Sequence, residues 1–167
     1  MKKRQAQFSA LGIVSIVLSS ASLVTAQAPE RGHGSLTVRG PVRVIEGDTL
    51  ELNVDGRRFG VKIIGIKAPE GNTACGRESI AATAQLVAEG IFLDEDLALP
   101  SFDARLLRLY QVRTSAGVPL AAELARAGLA RAEPSHKGAR DLPDVAAAEA
   151  DARAARRGCV WSEEPIR

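Results

Sequence analysis

Three short stretches of the chain carry residue types whose grouping can do chemistry. The first is Glu46-Gly47-Asp48-Thr49. The second is Lys62 followed by Lys67-Ala68-Pro69-Glu70, and the third is Asp103-Ala104-Arg105. Carboxylates set beside lysine and arginine can hold a cation. They can also hold and cut a phosphodiester, with a carboxylate drawing a proton from water and cations facing the charge that develops. Each stretch also has a plainer reading. Gly-Asp is common turn chemistry, a glutamate before a helix complements the helix dipole, and a single arginine at a strand end is ordinarily solvated.

The elements that must position these groups read as β first and helical later. Val42 and Val44 alternate with Arg43 in a first strand, and Leu50, Leu52 and Val54 alternate with polar residues in a second. Asp55-Gly56 suits the tight turn of a hairpin. A third strand runs from about Arg58 to Ile66, with Phe59, Val61 and Ile63 on one face. After Pro69 the period becomes helical through Ile80, Ala84, Leu86 and Val87, with Gly90 as its cap. Two further strands are expected at 91–97 and 106–112, then a short helix at 120–127. A last helix is expected from an N-cap at Asp141, with Pro143 in its first turn, to Gly158. The order β-β-β-α-β-β-α-α predicts a β-rich α+β fold: a five-stranded antiparallel OB-fold, a Greek-key barrel with a helix between strands three and four and two carboxyl-terminal helices. The charged stretches all fall at strand ends, which such a barrel gathers on one rim.

The 167 residues are 46% hydrophobic and 25% charged, the composition of one small globular domain. Aromatics are only 4%, so the core must be mainly aliphatic. Lys2, Lys3 and Arg4 precede an apolar run from about Ala10 to Val24 and small residues at Thr25, Ala26 and Ala28, the order of a secretory signal cut after Ala26. The alternative is an uncleaved membrane anchor, for which the run is short and interrupted by serines. The sequence thus divides into a signal peptide at 1–26, a loose leader at 27–40, the domain at 41–161 and a tail at 162–167. Removing the signal peptide takes three cations and no acid away, moving the net charge from +2 to −1. No global positive field is left to attract nucleic acid, so phosphate binding must be local. Cys75 and Cys159 are the only cysteines. In an oxidising compartment they are expected to pair, the alternative being two buried thiols. His33 and His136 are expected at the surface, and Trp161 is expected to anchor the last helix.

Taken together, the charged stretches resemble the staphylococcal nuclease (thermonuclease-like) family. The matching segments are Val44-Ile45-Glu46-Gly47-Asp48-Thr49, Val61 to Glu70 with its Ala-Pro-Glu ending, and Ala104-Arg105-Leu106-Leu107-Arg108. Glu123 to Ala130 and Ala-Arg-Arg-Gly-Cys-Val-Trp161 extend the match over nearly all of the chain after Pro41. The resemblance implies an OB-fold and calcium-dependent hydrolysis of DNA and RNA. It makes Asp48 a calcium ligand, Glu70 the general base for the attacking water, and Arg105 one of two cations stabilising the phosphate. The second arginine position is Lys62, which keeps the charge but loses the bidentate grip. The second calcium-binding aspartate position is Lys67, which reverses the local charge where the ion needs oxygen ligands. Ala68 replaces a threonine and Glu46 an aspartate.

Three functions follow as expectations. One is an exported nuclease, periplasmic or secreted, with a weakened calcium site or none. In it Lys67 would take the missing ion's place, paired with Asp48 and Glu70, and phosphate would meet Lys62, Lys67 and Arg105. The second is a non-catalytic module binding nucleic acid, an acidic exopolysaccharide or a protein. The third is a disulfide-stapled structural domain. After signal cleavage no membrane association is expected.

Overall fold

The computed structural model describes residues 34–40 and 42–162. The expected signal peptide, the first half of the leader with His33, and the tail beyond Ser162 lie outside the described residues. No helix among the described residues is long and apolar enough to cross a membrane.

The fold is α+β, with eight strands and four helices among the described residues. Strands β1 (Leu36–Val38), β2 (Arg43–Glu46), β3 (Thr49–Val54), β4 (Arg57–Ile63), β6 (Ile91–Asp94) and β7 (Arg108–Thr114) form one sheet in the order β1-β6-β7-β4-β3-β2. Strands β5 (Ile66–Lys67) and β8 (Arg131–Ala132) form a separate two-stranded ladder. The helices are α1 (Ala74–Leu86), α2 (Leu120–Arg126), α3 (Leu142–Ala154) and the single-turn α4 (Cys159–Ser162), with a 3-10 turn at Pro134–His136.

The alternating pattern in the sequence is realised directly. Leu50 and Leu52 on β3, Val61 and Ile63 on β4, Ile91 and Leu93 on β6, and Tyr110 and Val112 on β7 are buried. Leu120, Leu124 and Val145 join the same core from α2 and α3. This core is aliphatic apart from Tyr110. Removal of these side chains from water is the main favourable term, at roughly 1.5–3 kcal/mol for each large residue.

Four details depart from the sequence expectations. The pairing is not wholly antiparallel: β7 lies parallel to β4, with Val61 opposite Arg108 and Ile63 opposite Tyr110. The stretch assigned to a loose leader contains β1, whose Leu36, Thr37 and Val38 pair with Leu93, Phe92 and Ile91. The Leu-Thr-Val alternation signals that strand, with Val38 buried and Thr37 exposed. Gly90 does not cap the first helix, which ends at Leu86. Its φ of +101° and its approach to Val38, whose carbonyl oxygen would lie 2.6 Å from an added Cβ, let β1 pass. Finally, the third strand is split in two, because Gly65 at φ +91° breaks the ladder between Ile63 and Ile66.

The face of α1 departs from the expected one in part: Leu86 and Val87 pack on the core as expected, but Ala84 does not. Thr73 caps its start by accepting from the Gly76 amide at 2.9 Å, so the helix begins well before Ile80. Its buried positions are Cys75, Gly76, Ser79 and Thr83, while Ala84 is exposed. Small residues at four-residue spacing bring the helix axis close to the turn between β2 and β3. A large apolar face would have kept it further away.

Candidate functional site

The turn between β2 and β3 is fixed from behind by α1. Thr83 Oγ1 donates to the Gly47 carbonyl at 2.9 Å. A Cβ on Gly47 would run into the Ser79 side chain and lie 2.9 Å from the Ala68 methyl. Only glycine fits there, and it sets the position of the next residue, Asp48.

Asp48 is 1% exposed and fully engaged. Its Oδ1 lies 2.6 Å from Lys62 Nζ and accepts from Thr49 Oγ1 at 2.9 Å. Its Oδ2 accepts from the Ala68 amide at 2.7 Å. One carboxylate therefore joins the β2–β3 turn, the end of β4 and the segment leaving β5. The expected pairing of Lys67 with Asp48 is corrected: the ammonium on Asp48 belongs to Lys62. The two lysines lie on opposite sides of the Gly65 break, and only Lys62 faces the turn.

Lys67 is exposed on β5, directly opposite Arg131 on β8. The chain then turns through Ala68 and Pro69 to Glu70. The Glu70 carbonyl accepts from both the amide and the hydroxyl of Thr73, at 3.0 and 2.7 Å, which leads into α1. The Glu70 side chain is exposed, and no lysine or arginine among the described residues forms a salt bridge with it. Arg105 stands on a tight loop built by Asp103, whose Oδ1 accepts the amides of Arg105 and Leu107, each at 2.9 Å. Asp103 is thus a turn residue, and Arg105 is displayed to solvent.

These residues meet. Glu46, Asp48, Lys62, Lys67, Glu70 and Arg105 all line one open cavity of about 420 Å³. The structure brings together every charged position singled out in the first two stretches, with Arg105 from the third. The arrangement is an inward carboxylate neutralised by Lys62, with Glu70, Lys67 and Arg105 around the opening. Such a basin can take an oxyanion at the two cations and leaves one carboxylate able to accept a proton.

The donor set does not match calcium's requirement for several hard oxygens. Both Asp48 oxygens are already bonded within the protein, and Lys67 stands at the mouth. Among the described residues no group of three or more His, Cys, Asp or Glu side chains is arranged to hold a metal ion.

His136 is a residue the sequence reading placed wrongly. It is half-buried, and its Nδ1 accepts from the Gly65 amide at 2.9 Å. Glu133, three residues earlier at the start of the 3-10 turn, accepts the His136 amide through its carbonyl at 3.1 Å, while its carboxylate caps Ser135. Burial pushes the His136 pKa below its usual 6.5. Glu133 opposes that shift, Lys62 adds to it, and Asp103 and Asp48 oppose it. Neutral His136 is what the Gly65 amide requires. Below about pH 6.5 the unfolded chain takes up the proton first, so stability falls with acidification through that range and is level above it. The urea midpoint is expected to drop between about pH 7.5 and about pH 5.5, and His136→Gln should flatten that drop. A wild-type midpoint unchanged across the interval would contradict this role.

The fold and basin define a small α+β domain, stapled by one disulfide, with a charged cavity at the ends of its strands. No known family model and no curated protein matches the chain.

Proposed function

We propose that this chain is an exported, staphylococcal-nuclease-like domain whose basin binds a phosphodiester chain and hydrolyses it slowly without calcium. The observation that carries the reading is the convergence of Glu70, Arg105 and Lys67 on one cavity, in front of an Asp48 already occupied by Lys62. Glu70, exposed and without an ion-pair partner among the described residues, is the base for the attacking water. Arg105 offers its planar fork to the non-bridging phosphate oxygens. Lys67 adds a point charge at the mouth. Lys62 acts through Asp48, fixing the turn. A lysine cannot reproduce the multiple coordination of a divalent ion, so turnover is low.

The OB-fold belongs to the same proposal. The outer strands β1 and β2 of the sheet are consecutive in the chain, separated only by residues 39–42. Both edges of the sheet therefore come from neighbouring segments of the chain, which supports closure into a barrel. Export to a periplasmic or extracellular location is supported by the amino-terminal pattern and by the disulfide between Cys75 and Cys159.

A second reading, binding without turnover, is favoured by one observation. Asp48 neutralises Lys62, which among the described residues leaves Lys67 and Arg105 as the cations at the mouth for transition-state charge. The two readings separate on Glu70→Gln, assayed with a fluorescently labelled single-stranded oligonucleotide. For a nuclease, cleavage falls by about 100-fold or more while affinity is retained or rises, since one negative charge is removed. Saturable, salt-dependent binding with no wild-type cleavage would replace the enzyme with a binding module for nucleic acid or an acidic polysaccharide.

A further inference from the structure

A second cavity, of about 610 Å³, opens on the other side of Lys67 and Ala68. This volume lies within the range of about 300–1,000 Å³ typical of small-ligand sites. Its floor is largely apolar, formed by Ala68, Pro69, Ala132, Pro134, Val160 and the Cys75 end of the disulfide. Its charged groups are Lys67, Arg131 and Glu133.

The placement of the two cations is unusual for a structural ladder. Lys67 and Arg131 are directly opposed in β5–β8, and both are exposed. Like charges in that relation destabilise a sheet, and a two-stranded ladder with two residue pairs has little with which to offset them. The nearby carboxylate does not bridge them. Glu133 Oε1 accepts from the Ser135 amide and hydroxyl at 3.1 and 2.8 Å, which turns it toward the 3-10 helix. The guanidinium of Arg131 rests on the Trp161 ring, 4.7 Å from its centroid. That contact fixes the plane of the fork and leaves its edge available to an oxyanion. The amino end of α1 forms another wall and carries no acid in its first turn, so its dipole adds to the positive field.

We propose that Lys67 and Arg131 clamp a second phosphate of a single-stranded nucleic acid, one unit along from the phosphate held at Arg105, with the attached sugar lying on the apolar floor. Lys67 lines both cavities, and so it is the shared post between the two phosphates. This inference rests on the phosphodiester reading of the first basin, but its test does not depend on cleavage.

Trp161 is the only tryptophan in the chain, and Arg131 lies on its ring, so its fluorescence reports directly on this cavity. A 5′-phosphorylated tetranucleotide titrated into the protein spanning residues 27–167 should change Trp161 emission saturably at low salt. Arg131→Gln should abolish the change and weaken tetranucleotide binding about tenfold, while hydrolysis of a small phosphodiester, bis(p-nitrophenyl) phosphate, stays unchanged. Lys67→Gln, which leaves the Trp161 contact alone, should weaken the tetranucleotide by a similar factor and lower the salt slope by about 0.7. If the fluorescence change persists where no oligonucleotide is cleaved, the subsite stands and the enzyme reading falls. If cleavage proceeds but Trp161 is silent and both variants bind like wild type, the subsite is overturned.

Discussion

Asp48→Ala is expected to lower the stability of the domain by about 3–5 kcal/mol, read as a fall in the urea midpoint at neutral pH. The carboxylate side chain is 2% exposed and that of Lys62 is 17% exposed, so deleting Asp48 leaves an ammonium largely shielded from water and stripped of its paired carboxylate. It also strips the acceptor from the Ala68 amide and from the Thr49 hydroxyl. The residual exposure of Lys62 lets the ammonium reach some water, which places the loss near the lower end. Asp48→Asn keeps an acceptor for Ala68 and should cost less, about 2 kcal/mol. Replacing both partners with apolar residues, Asp48→Leu with Lys62→Met, should recover much of the loss, because no unpaired charge remains. A further consequence separates this account from a calcium-ligand role for Asp48. In Asp48→Asn the Lys62 charge is released toward the cavity, so affinity for an anionic oligonucleotide should rise. If Asp48→Ala changed stability by less than about 1 kcal/mol, the ion pair would not be holding the turn.

Removal of the disulfide by Cys75→Ala with Cys159→Ala is expected to cost a similar amount, about 3–5 kcal/mol. The bridge joins residues 84 apart, with Cα atoms at 5.4 Å, and ties the first turn of α1 to α4. Closing a loop of that length restricts the unfolded chain by about 4–5 kcal/mol in the entropy model, and measured effects often fall lower. The native fold should survive, because α4 is also held by the Val160 amide on the Gly128 carbonyl at 3.1 Å and by Trp161 between Arg131 and Arg153. Wild-type protein in a strong reductant should therefore show the midpoint of the double variant, with the same tryptophan emission before unfolding. Equal midpoints with and without reductant would show that the bridge contributes no stability.

Much of the fold was legible in the sequence because its signals are local. The alternation in 49–54 and 57–63, the Asp55-Gly56 turn, Pro143 in the first turn of α3 and the aliphatic composition each act over a few residues. The missing parts depend on distant partners. Strand β1 exists because Leu36 and Val38 find Leu93 and Ile91, and the two pairs of the β5–β8 ladder are too few to show as a pattern. The parallel pairing of β7 with β4 is a property of the crossover, which no run of residues announces. In α1 the periodicity picks out Leu86 and Val87, which pack on the core, but not Ser79 and Thr83, because hydrophobic periodicity cannot reveal a face made of small polar residues.

The candidate site divides in the same way. Residue types and order brought Glu46, Asp48, Lys62, Lys67, Glu70 and Arg105 into view, and they do share one cavity. Which lysine serves Asp48 was beyond sequence, since it depends on the break at Gly65. Arg131 goes unmarked in the sequence, and His136 is assigned to the surface, for a different reason. Each lies far along the chain, and only the return of β8 to β5 brings them beside the basin.

The most direct test of the account is hydrolysis of a labelled single-stranded oligonucleotide by the protein spanning residues 27–167, run in parallel with excess calcium and with chelator. An Asp48 already bonded to Lys62, Thr49 and Ala68 predicts the same slow rate in both conditions, lost in Glu70→Gln. Cleavage that appears only with calcium and disappears in Asp48→Asn would contradict it, because Asp48 would then have to leave Lys62 to hold the ion.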